Sequence, residues 1–242
     1  MSESLDRRVV VTGAAGRIGT VVLDKLSARW QIRATDLNHA DGIAALDVTD
    51  VEECLAMFRG ADAVVHLAAN PNPHAEWGAL RGPNVDGAYT VAAAARECGV
   101  RRLVLASSVQ ALSAYPDTVQ RRVEDAPHAA NLYGATKAWA EALGGWVAAS
   151  SPTSVVALRI GYFSEEPPAG DNATPRNLAA WLSHGDCTRL IQAAVESEHD
   201  GFIVVNGISA NRYRFTELGE AERQIGYAPI DDTWAWLEPN SV

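Results

Sequence analysis

The sequence predicts an α/β protein built on a doubly wound parallel sheet, with a small C-terminal substrate-binding part. Three observations lead to this prediction. Short runs rich in β-branched residues alternate with amphipathic segments up to residue 162, a glycine-rich stretch follows the first run, and the pattern becomes short and irregular afterwards. Strands separated by helices of this length form right-handed βαβ units, which build a parallel sheet.

The strands are predicted from runs of Val, Ile and Leu, such as RVVVT at residues 8–12 and SVVALRI at residues 154–160. Short apolar runs of this kind are typical of strands that are covered on both faces. The predicted strands are Arg8–Thr12, Gln31–Asp36, Ala44–Asp47, Ala63–Leu67, Arg102–Ala106, Ser154–Ile160 and Phe202–Asn206.

The helices are predicted from apolar residues that recur three to four positions apart, as they do in the segment that follows the first strand. The predicted helices are Arg17–Arg29, a helix that ends at Phe58 and is capped by Thr49 or Asp50, Asn84–Cys98, Leu132–Ala149, a helix capped by Asp186 that runs to about Val195, and Thr216–Ile225. Trp234 and Trp236 are expected to pack against the edge of the domain.

Charge and cysteine content exclude several classes of function. The formal net charge of -10 at pH 7 argues against nucleic acid or an anionic membrane as the main partner, because both require a basic face. The three cysteines are far apart in the sequence, so neither a disulfide framework nor a zinc site is expected. The N-terminus MSESLDRR lacks an apolar core, and no apolar run reaches membrane-spanning length. We therefore expect a cytoplasmic protein without a metal.

The segment VVVTGAAGRIG, at residues 9–19, predicts a dinucleotide-binding turn. Its glycines at 13, 16 and 19 follow a strand and open a helix. The first glycine permits the tight turn, the second lets the backbone approach a pyrophosphate, and the third lets helix and strand pack closely. The free N–H groups of the helix N-terminus favour phosphate. Residues 1–162 are thus expected to form a Rossmann domain that binds a dinucleotide, and residues 163–242 a small lid.

Asp36 ends the second predicted strand, where a carboxylate accepts hydrogen bonds from ribose hydroxyls and repels a 2′-phosphate. This favours NAD over NADP, and strand alternation places Arg33 on the opposite face from Asp36. Asp47 and Val48 are expected near the adenine, although a role in capping the next helix is an alternative for Asp47. The small residues that follow Leu67 would let the cofactor pass close to the backbone.

Tyr133 and Lys137 lie four positions apart in YGATK and therefore share one face of a helix. A tyrosine is a poor base at neutral pH because its pKa is near 10, and a nearby ammonium group favours the phenolate. Ser107 and Ser108 end a predicted strand twenty-five residues earlier. A serine hydroxyl at this edge of the sheet can hold a substrate oxygen beside Tyr133.

These motifs together resemble the extended short-chain dehydrogenases/reductases, also called the NAD-dependent epimerase/dehydratase family. The resemblance implies bound NAD, a centre of Ser108, Tyr133 and Lys137, and often a homodimer formed by helices that flank the sheet. Within the pair of serines, alignment of the motif assigns the catalytic position to Ser108. The expected cofactor-binding residues are Gly13, Gly16, Arg17, Ile18, Gly19, Asp36, Asp47, Val48, Leu67, Ala68, Ala69, Asn84, Tyr133, Lys137 and Ile160.

The second half of the chain resembles bacterial uronate dehydrogenases, through RIG at residues 159–161, Arg176 and WLSHGD at residues 181–186. The resemblance implies that Arg176 binds a sugar carboxylate. Ser108, Val109, Gln110 and Tyr162 are expected to complete the substrate site. The residues at 109, 110 and 162 depart from the uronate dehydrogenase pattern, and they make the predicted pocket more apolar and bulkier.

The sequence therefore predicts an NAD-dependent oxidoreductase that takes hydride from an alcohol or hemiacetal carbon of a sugar-like substrate, with a uronate as first candidate. Two alternatives stay open at this stage. An epimerase or dehydratase would recycle its NAD internally and release no NADH. A non-catalytic NAD-sensing protein would have no use for the centre formed by Ser108, Tyr133 and Lys137.

Overall fold

The computed structural model contains a parallel seven-stranded sheet, in which the strands lie in the order β3-β2-β1-β4-β5-β6-β9. The structure describes residues 7–237, so most of the N-terminal segment used for the signal-peptide prediction lies outside it. The strands are β1 Arg8–Thr12, β2 Gln31–Asp36, β3 Ile43–Ala45, β4 Ala63–His66, β5 Arg102–Ser108, β6 Ser154–Ile160, β7 Tyr162–Phe163, β8 Trp181–Leu182 and β9 Phe202–Gly207. The short strands β7 and β8 pair with each other in a separate parallel sheet.

Helices cover both faces of the sheet. They are α1 Arg17–Leu26, α2 Val51–Phe58, α3 Trp77–Leu80, α4 Gly87–Glu97, α5 Leu132–Ser150, α6 Pro175–Ala179, α7 His184–Glu196, α8 Gly219–Ile225 and α9 Thr233–Leu237. A π-helical turn, Arg81–Asp86, leads into α4, and a 3-10 turn, Val109–Leu112, follows β5. Within residues 7–237, no helix has the length and apolarity needed to cross a membrane.

Alternation along the strands builds two hydrophobic layers. Val9 and Val11 of β1 face a cluster formed with α1, α7 and α8, whereas Val10 faces a second cluster formed with α2, α4 and α5. All three valines are fully buried. Burial on both faces is the usual state of a parallel sheet and explains the near-continuous apolar runs in the sequence. The predicted fold class is confirmed.

Strand β9 joins the main sheet beside β6, with Val155 opposite Phe202 and Ile160 opposite Gly207. Six of the sheet's strands come from residues 1–162 and the seventh comes from the segment predicted to form the small lid. The sheet therefore includes residues from both sides of the domain boundary predicted between residues 162 and 163. That boundary stays a prediction.

Polar side chains satisfy the free N–H groups at the starts of α2 and α7. The side chain belongs to one of the two expected residues at α2 and to a different residue from the expected one at α7. Asp50, rather than Thr49, caps α2 by accepting from the N–H groups of Glu52 and Glu53. Ser183, and not Asp186, caps α7. Asp186 lies inside the first turn, where its carboxylate accepts from the N–H groups of the distant residues 230 and 231.

Other differences concern side-chain packing and the helix around Asn84. The predicted helix Asn84–Cys98 starts as the π-helical turn, and the α-helix itself begins at Gly87. Of the two tryptophans expected at the domain edge, Trp234 packs edge-on against Tyr213 with ring centres 5.0 Å apart, whereas Trp236, on the short helix α9, is 50% exposed.

A buried ion pair joins α5 to β6. Arg159 donates from Nε and Nη2 to the two carboxylate oxygens of Glu141, each at 2.9 Å, and both side chains are almost fully buried. Ser107 donates to the same carboxylate at 2.6 Å, which adds β5 to the contact. Arg159 Nη1 also approaches the carbonyl oxygens of Arg122 and Val123 at 3.3 Å. One pair thus fixes α5, two strands and a loop relative to each other.

We expect the variant Glu141→Gln to lower the free energy of unfolding by about 3 kcal/mol, because it leaves the Arg159 charge buried without its counter-ion. Urea unfolding followed by circular dichroism measures the change. The matched control is Glu124→Gln, since Glu124 pairs with Arg122 at the surface and should contribute less than about 0.5 kcal/mol. Equal effects of the two substitutions would contradict the role assigned to the buried pair.

Candidate functional site

A cavity of about 680 Å³ opens at the carboxyl ends of β1, β4, β5 and β6. The order of the strands reverses between β1 and β4, and in doubly wound sheets the crevice at such a reversal is where ligands bind. The glycine-rich turn forms one end of the cavity, and residues from β7, α6 and the loop after β5 form the other end. The two ends therefore offer distinct environments for a cofactor and a substrate.

The turn between β1 and α1 has the shape that a dinucleotide requires. Gly13 has a φ of +73°, and a Cβ there would lie 2.5 Å from the Ala68 nitrogen, so the protein's own packing requires glycine. A Cβ on Gly16 would meet only the Gly13 carbonyl oxygen, at 3.1 Å. Gly16 faces the cavity and caps α1 without a side-chain hydrogen bond, so backbone N–H groups remain available to a phosphate. The turn therefore fits NAD.

Asp36 lies against this turn at the end of β2. Its carboxylate accepts from the N–H groups of Ala15 at 2.9 Å and Leu37 at 2.8 Å. Arg33 points to the other side of the strand, where it donates to the carbonyl oxygens of Met57 and Arg59. The opposite orientations of Arg33 and Asp36 agree with the expectation from strand alternation.

Asp47 and Val48, the next expected cofactor contacts, do not line the cavity. Asp47 accepts from the N–H and hydroxyl groups of Thr49, so its local capping role is present. Val48 is buried beside Gly87, the first residue of α4. The adenine contacts predicted for Asp47 and Val48 stay predictions.

Helix α5 brings Tyr133 and Lys137 together beneath the end of β5. Both line the cavity, and Lys137 Nζ lies 5.5 Å from the centre of the Tyr133 ring while it donates to the Ala106 carbonyl at 2.9 Å. The hydroxyl of Ser108 neighbours Tyr133 and also accepts from the Gln110 N–H at 3.2 Å. Ser107 is engaged by Glu141 instead. This division of partners favours Ser108 as the serine of the site.

Burial dominates the electrostatics of this centre. It lowers the pKa of Lys137 to about 8, so the ammonium group persists at neutral pH and is lost as the pH rises through that value. It raises the pKa of Tyr133, and the hydrogen bond with Ser108 offsets part of this rise. The expected lowering of the Tyr133 pKa by Lys137 is therefore not found in the chain alone. Burial, followed by repulsion from Lys137, lowers the pKa of His66 to about 3 and keeps it neutral.

Asn84 connects the cavity wall to α5 without lining the cavity. Its Oδ1 accepts from the Asn70 N–H at 2.8 Å, and its Nδ2 donates to Thr136 Oγ1 at 3.1 Å. Thr136 in turn donates to the Tyr133 carbonyl. The described side chain thus supports the helix that carries Tyr133, and the direct cofactor contact predicted for Asn84 stays a prediction.

The far end of the cavity holds the expected substrate residues together with others that the sequence did not reveal. Arg176 lines it and forms an ion pair with Asp117, and Arg121 lies beside them. Arg121 escaped prediction because residues 113–131 show no periodic pattern, and nothing in the sequence relates that segment to Arg176. The other unexpected lining residues include Ser113, Phe163, Asn172 and Asn177.

Most of the predicted site residues meet in this cavity. Those that line it are Gly13, Gly16, Arg17, Ile18, Gly19, Leu67, Ala69, Ser108, Val109, Gln110, Tyr133, Lys137, Ile160, Tyr162 and Arg176. Those outside the lining are Asp36, Asp47, Val48, Ala68 and Asn84.

Comparison with known proteins assigns the architecture to a family. The model of the NAD dependent epimerase/dehydratase family matches residues 9–186. The chain belongs to this family. The prediction of an NAD-dependent oxidoreductase of the extended short-chain dehydrogenase type is thereby confirmed, with NAD as its cofactor.

Relatives with known activities match most of the chain. L-arabinose 1-dehydrogenase (NAD(P)(+)) of Haloferax volcanii is 35% identical, over 96% of this chain and 99% of the relative. Uronate dehydrogenase of Agrobacterium fabrum is 33% identical, over 85% of this chain and 78% of the relative. A crystal structure of an Agrobacterium tumefaciens uronate dehydrogenase mutant complexed with NAD matches with a TM-score of 0.87 at 28% identity, over 96% of this chain and 88% of that chain.

Proposed function

We propose that this protein oxidises the hemiacetal carbon of a monosaccharide with NAD and releases the product as a lactone. One observation carries the proposal: Ser108, Tyr133 and Lys137 meet midway along a cavity whose one end fits a dinucleotide and whose other end is polar and cationic. The matching relatives named for L-arabinose, glucose-6-phosphate and uronates support a sugar as the substrate class.

The glycine-rich turn and α1 would hold the NAD pyrophosphate, and Asp36 would accept hydrogen bonds from the adenosine ribose. Arg17 lines the cavity and donates to the Phe163 carbonyl at 2.9 Å, so its positive charge lies close to the expected phosphates. Lys137, Tyr133 and Ile160 line the middle of the cavity, where the nicotinamide ribose would lie. When bound, NAD supplies the acceptor for a hydride.

Ser108, Tyr133 and Lys137 carry out the proton transfer. Ser108 Oγ holds the reacting oxygen of the sugar, and Tyr133 Oη takes the proton from the same hydroxyl as the C–H bond breaks. The carbon then becomes a carbonyl, so a cyclic hemiacetal gives a lactone. Tyr133 accepts this proton in its phenolate form and becomes a neutral phenol. Lys137 stabilises the phenolate before the step, because a buried ammonium group interacts more strongly with a nearby charge than an exposed one does.

Charge at the cavity wall favours a uronate as the first candidate. Among the described residues, none of the lining side chains is acidic, whereas Arg17, Arg121, Lys137 and Arg176 are cationic. An arginine at the far end suits a carboxylate, because its donors match the carboxylate oxygens. Val109 and Tyr162 add apolar surface beside it, which limits the number of sugar hydroxyls that can be bound.

Net oxidation distinguishes this proposal from an epimerase or dehydratase with recycled NAD. A dehydrogenase produces one NADH for each sugar oxidised, whereas internal recycling produces none. An NAD-sensing protein would bind NAD and convert no sugar. We therefore propose a dehydrogenase, which the dehydrogenase activities of the relatives matched over most of their length support.

The variant Tyr133→Phe tests the proton-transfer step. It removes only the hydroxyl group, so we expect kcat to fall by a factor on the order of 10²–10⁴ while the Kd of NADH changes little. Steady-state NADH formation and fluorescence titration with NADH measure the two effects. Turnover close to the wild-type rate would rule out Tyr133 as the proton acceptor.

The variant Asp36→Ala tests the cofactor preference. It removes the carboxylate expected to bind the ribose, so we expect the KM of NAD to rise about tenfold and the KM of NADP to rise less or to fall. Asp41→Ala removes the same charge from the exposed loop after β2 and is the control. If both variants change the NAD to NADP ratio equally, Asp36 has no specific role.

We further propose that the protein is a cytoplasmic homodimer that pairs through α4 and α5. Tyr89 and Trp146 stack at 6.1 Å on these helices, Arg96 lies over the Trp146 ring, and Trp139 is nearby on α5. Large aromatic side chains that share an exposed face are typical of protein interfaces. The three cysteines within the described residues are free thiols, which suits a reducing compartment.

The variant Trp146→Arg should shift the protein from dimer to monomer, because it places a second cation beside Arg96 and removes a large apolar contact. Sedimentation equilibrium measures the mass, and the exposed aromatic Trp236, replaced by Arg, is the control. A wild-type protein that sediments as a monomer would contradict the proposal.

A further inference from the structure

A single carboxylate oxygen accepts hydrogen bonds from both arginines at the far end of the cavity. Asp117 Oδ1 accepts from Arg176 Nε at 2.9 Å and from Arg121 Nη2 at 2.7 Å, and Arg176 Nη2 lies 2.8 Å from the same oxygen. Both arginines line the cavity, whereas Asp117 does not. The carboxylate therefore changes the charge of the site without occupying the space of the substrate.

The two arginines are held differently. The Arg121 side chain is only 5% exposed, its Nη2 also donates to the Tyr115 carbonyl, and its buried Nε has no hydrogen-bond partner within residues 7–237. Arg176 is 36% exposed and donates from Nη1 to the Ser113 carbonyl. Asp117 thus joins a partly exposed cation to a buried one.

Asp117 carries its charge at neutral pH. Burial alone would raise the pKa of its carboxyl group, but the hydrogen bonds from Arg176 and Arg121 outweigh burial and hold the pKa below its ordinary value. Two guanidinium groups and one carboxylate leave a single net positive charge. Without Asp117, an anionic substrate group at this position would face two.

We propose that Asp117 is a specificity-determining residue, which cancels one positive charge at the far end of the cavity and so limits the preference for carboxylated over neutral sugars. The proposal rests on the proposed function, because it concerns the sugar-binding end of the same site. It implies that a neutral aldose competes with a uronate more effectively in this protein than two free arginines would permit.

The substitution Asp117→Asn isolates the charge, since the amide oxygen can still accept the same hydrogen bonds. Isothermal titration of the enzyme–NADH complex with glucuronate and with L-arabinose gives the two dissociation constants. We expect Asp117→Asn to bind glucuronate about tenfold more tightly than the wild type, the order of effect of one unit charge at a partly exposed site, and arabinose unchanged within about twofold. Glu124→Gln is the matched control, because it removes the same charge from the same loop at an exposed pair.

A double variant tests whether Arg176 is the cation that causes the gain in glucuronate affinity. Asp117→Asn combined with Arg176→Met should lose the gain for glucuronate, because the freed cation is Arg176. The proposal is overturned if Asp117→Asn leaves the ratio of the two dissociation constants unchanged, if Glu124→Gln changes it equally, or if neither wild type nor variant binds glucuronate. If the charge effect is found but no sugar yields NADH, the proposed function fails and the role of Asp117 stands.

Discussion

The buried ion pair between Glu141 and Arg159 fixes the two ends of the site relative to each other. Helix α5 presents Tyr133, Lys137 and Glu141 at intervals of four residues, so anchoring the third of them orients the other two. Arg159 also contacts the loop carbonyls at residues 122 and 123, next to Arg121. The same contact that places α5 against β5 and β6 thus also places the loop that carries Arg121.

The cavity is lined by cationic side chains although the chain as a whole is acidic. The chain has a net charge of -10, yet among the described residues the cavity lining carries cations and no acidic side chain. Taking Lys137 out of water is costly, and the lowered pKa expresses that cost. At the other end, Asp117 offsets part of the charge of the two arginines from outside the cavity. In the proposed site, different residues therefore bind the anion and limit the positive charge.

The sequence predicts those parts of the site that are encoded over short distances. The strand–turn–helix around Gly13 and the four-residue spacing of Tyr133 and Lys137 follow from local geometry, and both lie at the cavity as expected. The alternating pattern predicts the parallel sheet for the same reason. Strand β9 was predicted as a strand, but its place beside β6 depends on long-range pairing.

Long-range polar contacts were not predictable in the same way. Asp117 and Arg176 are 59 residues apart in the sequence and meet only because the loop after β5 folds over α6. Asp186 serves backbone groups 44 and 45 residues away instead of capping its own helix. The raised pKa of Tyr133 reflects burial, which the spacing of YGATK does not reveal.

The central claim is net oxidation of a sugar by NAD, and it is tested most directly by following NADH absorbance with NAD and a panel containing glucuronate, galacturonate, L-arabinose and glucose-6-phosphate. The proposed function predicts stoichiometric NADH with at least one of these sugars and a lactone as the product. Binding of NAD without NADH formation from any of them, or conversion of a sugar with no net NADH, would contradict it.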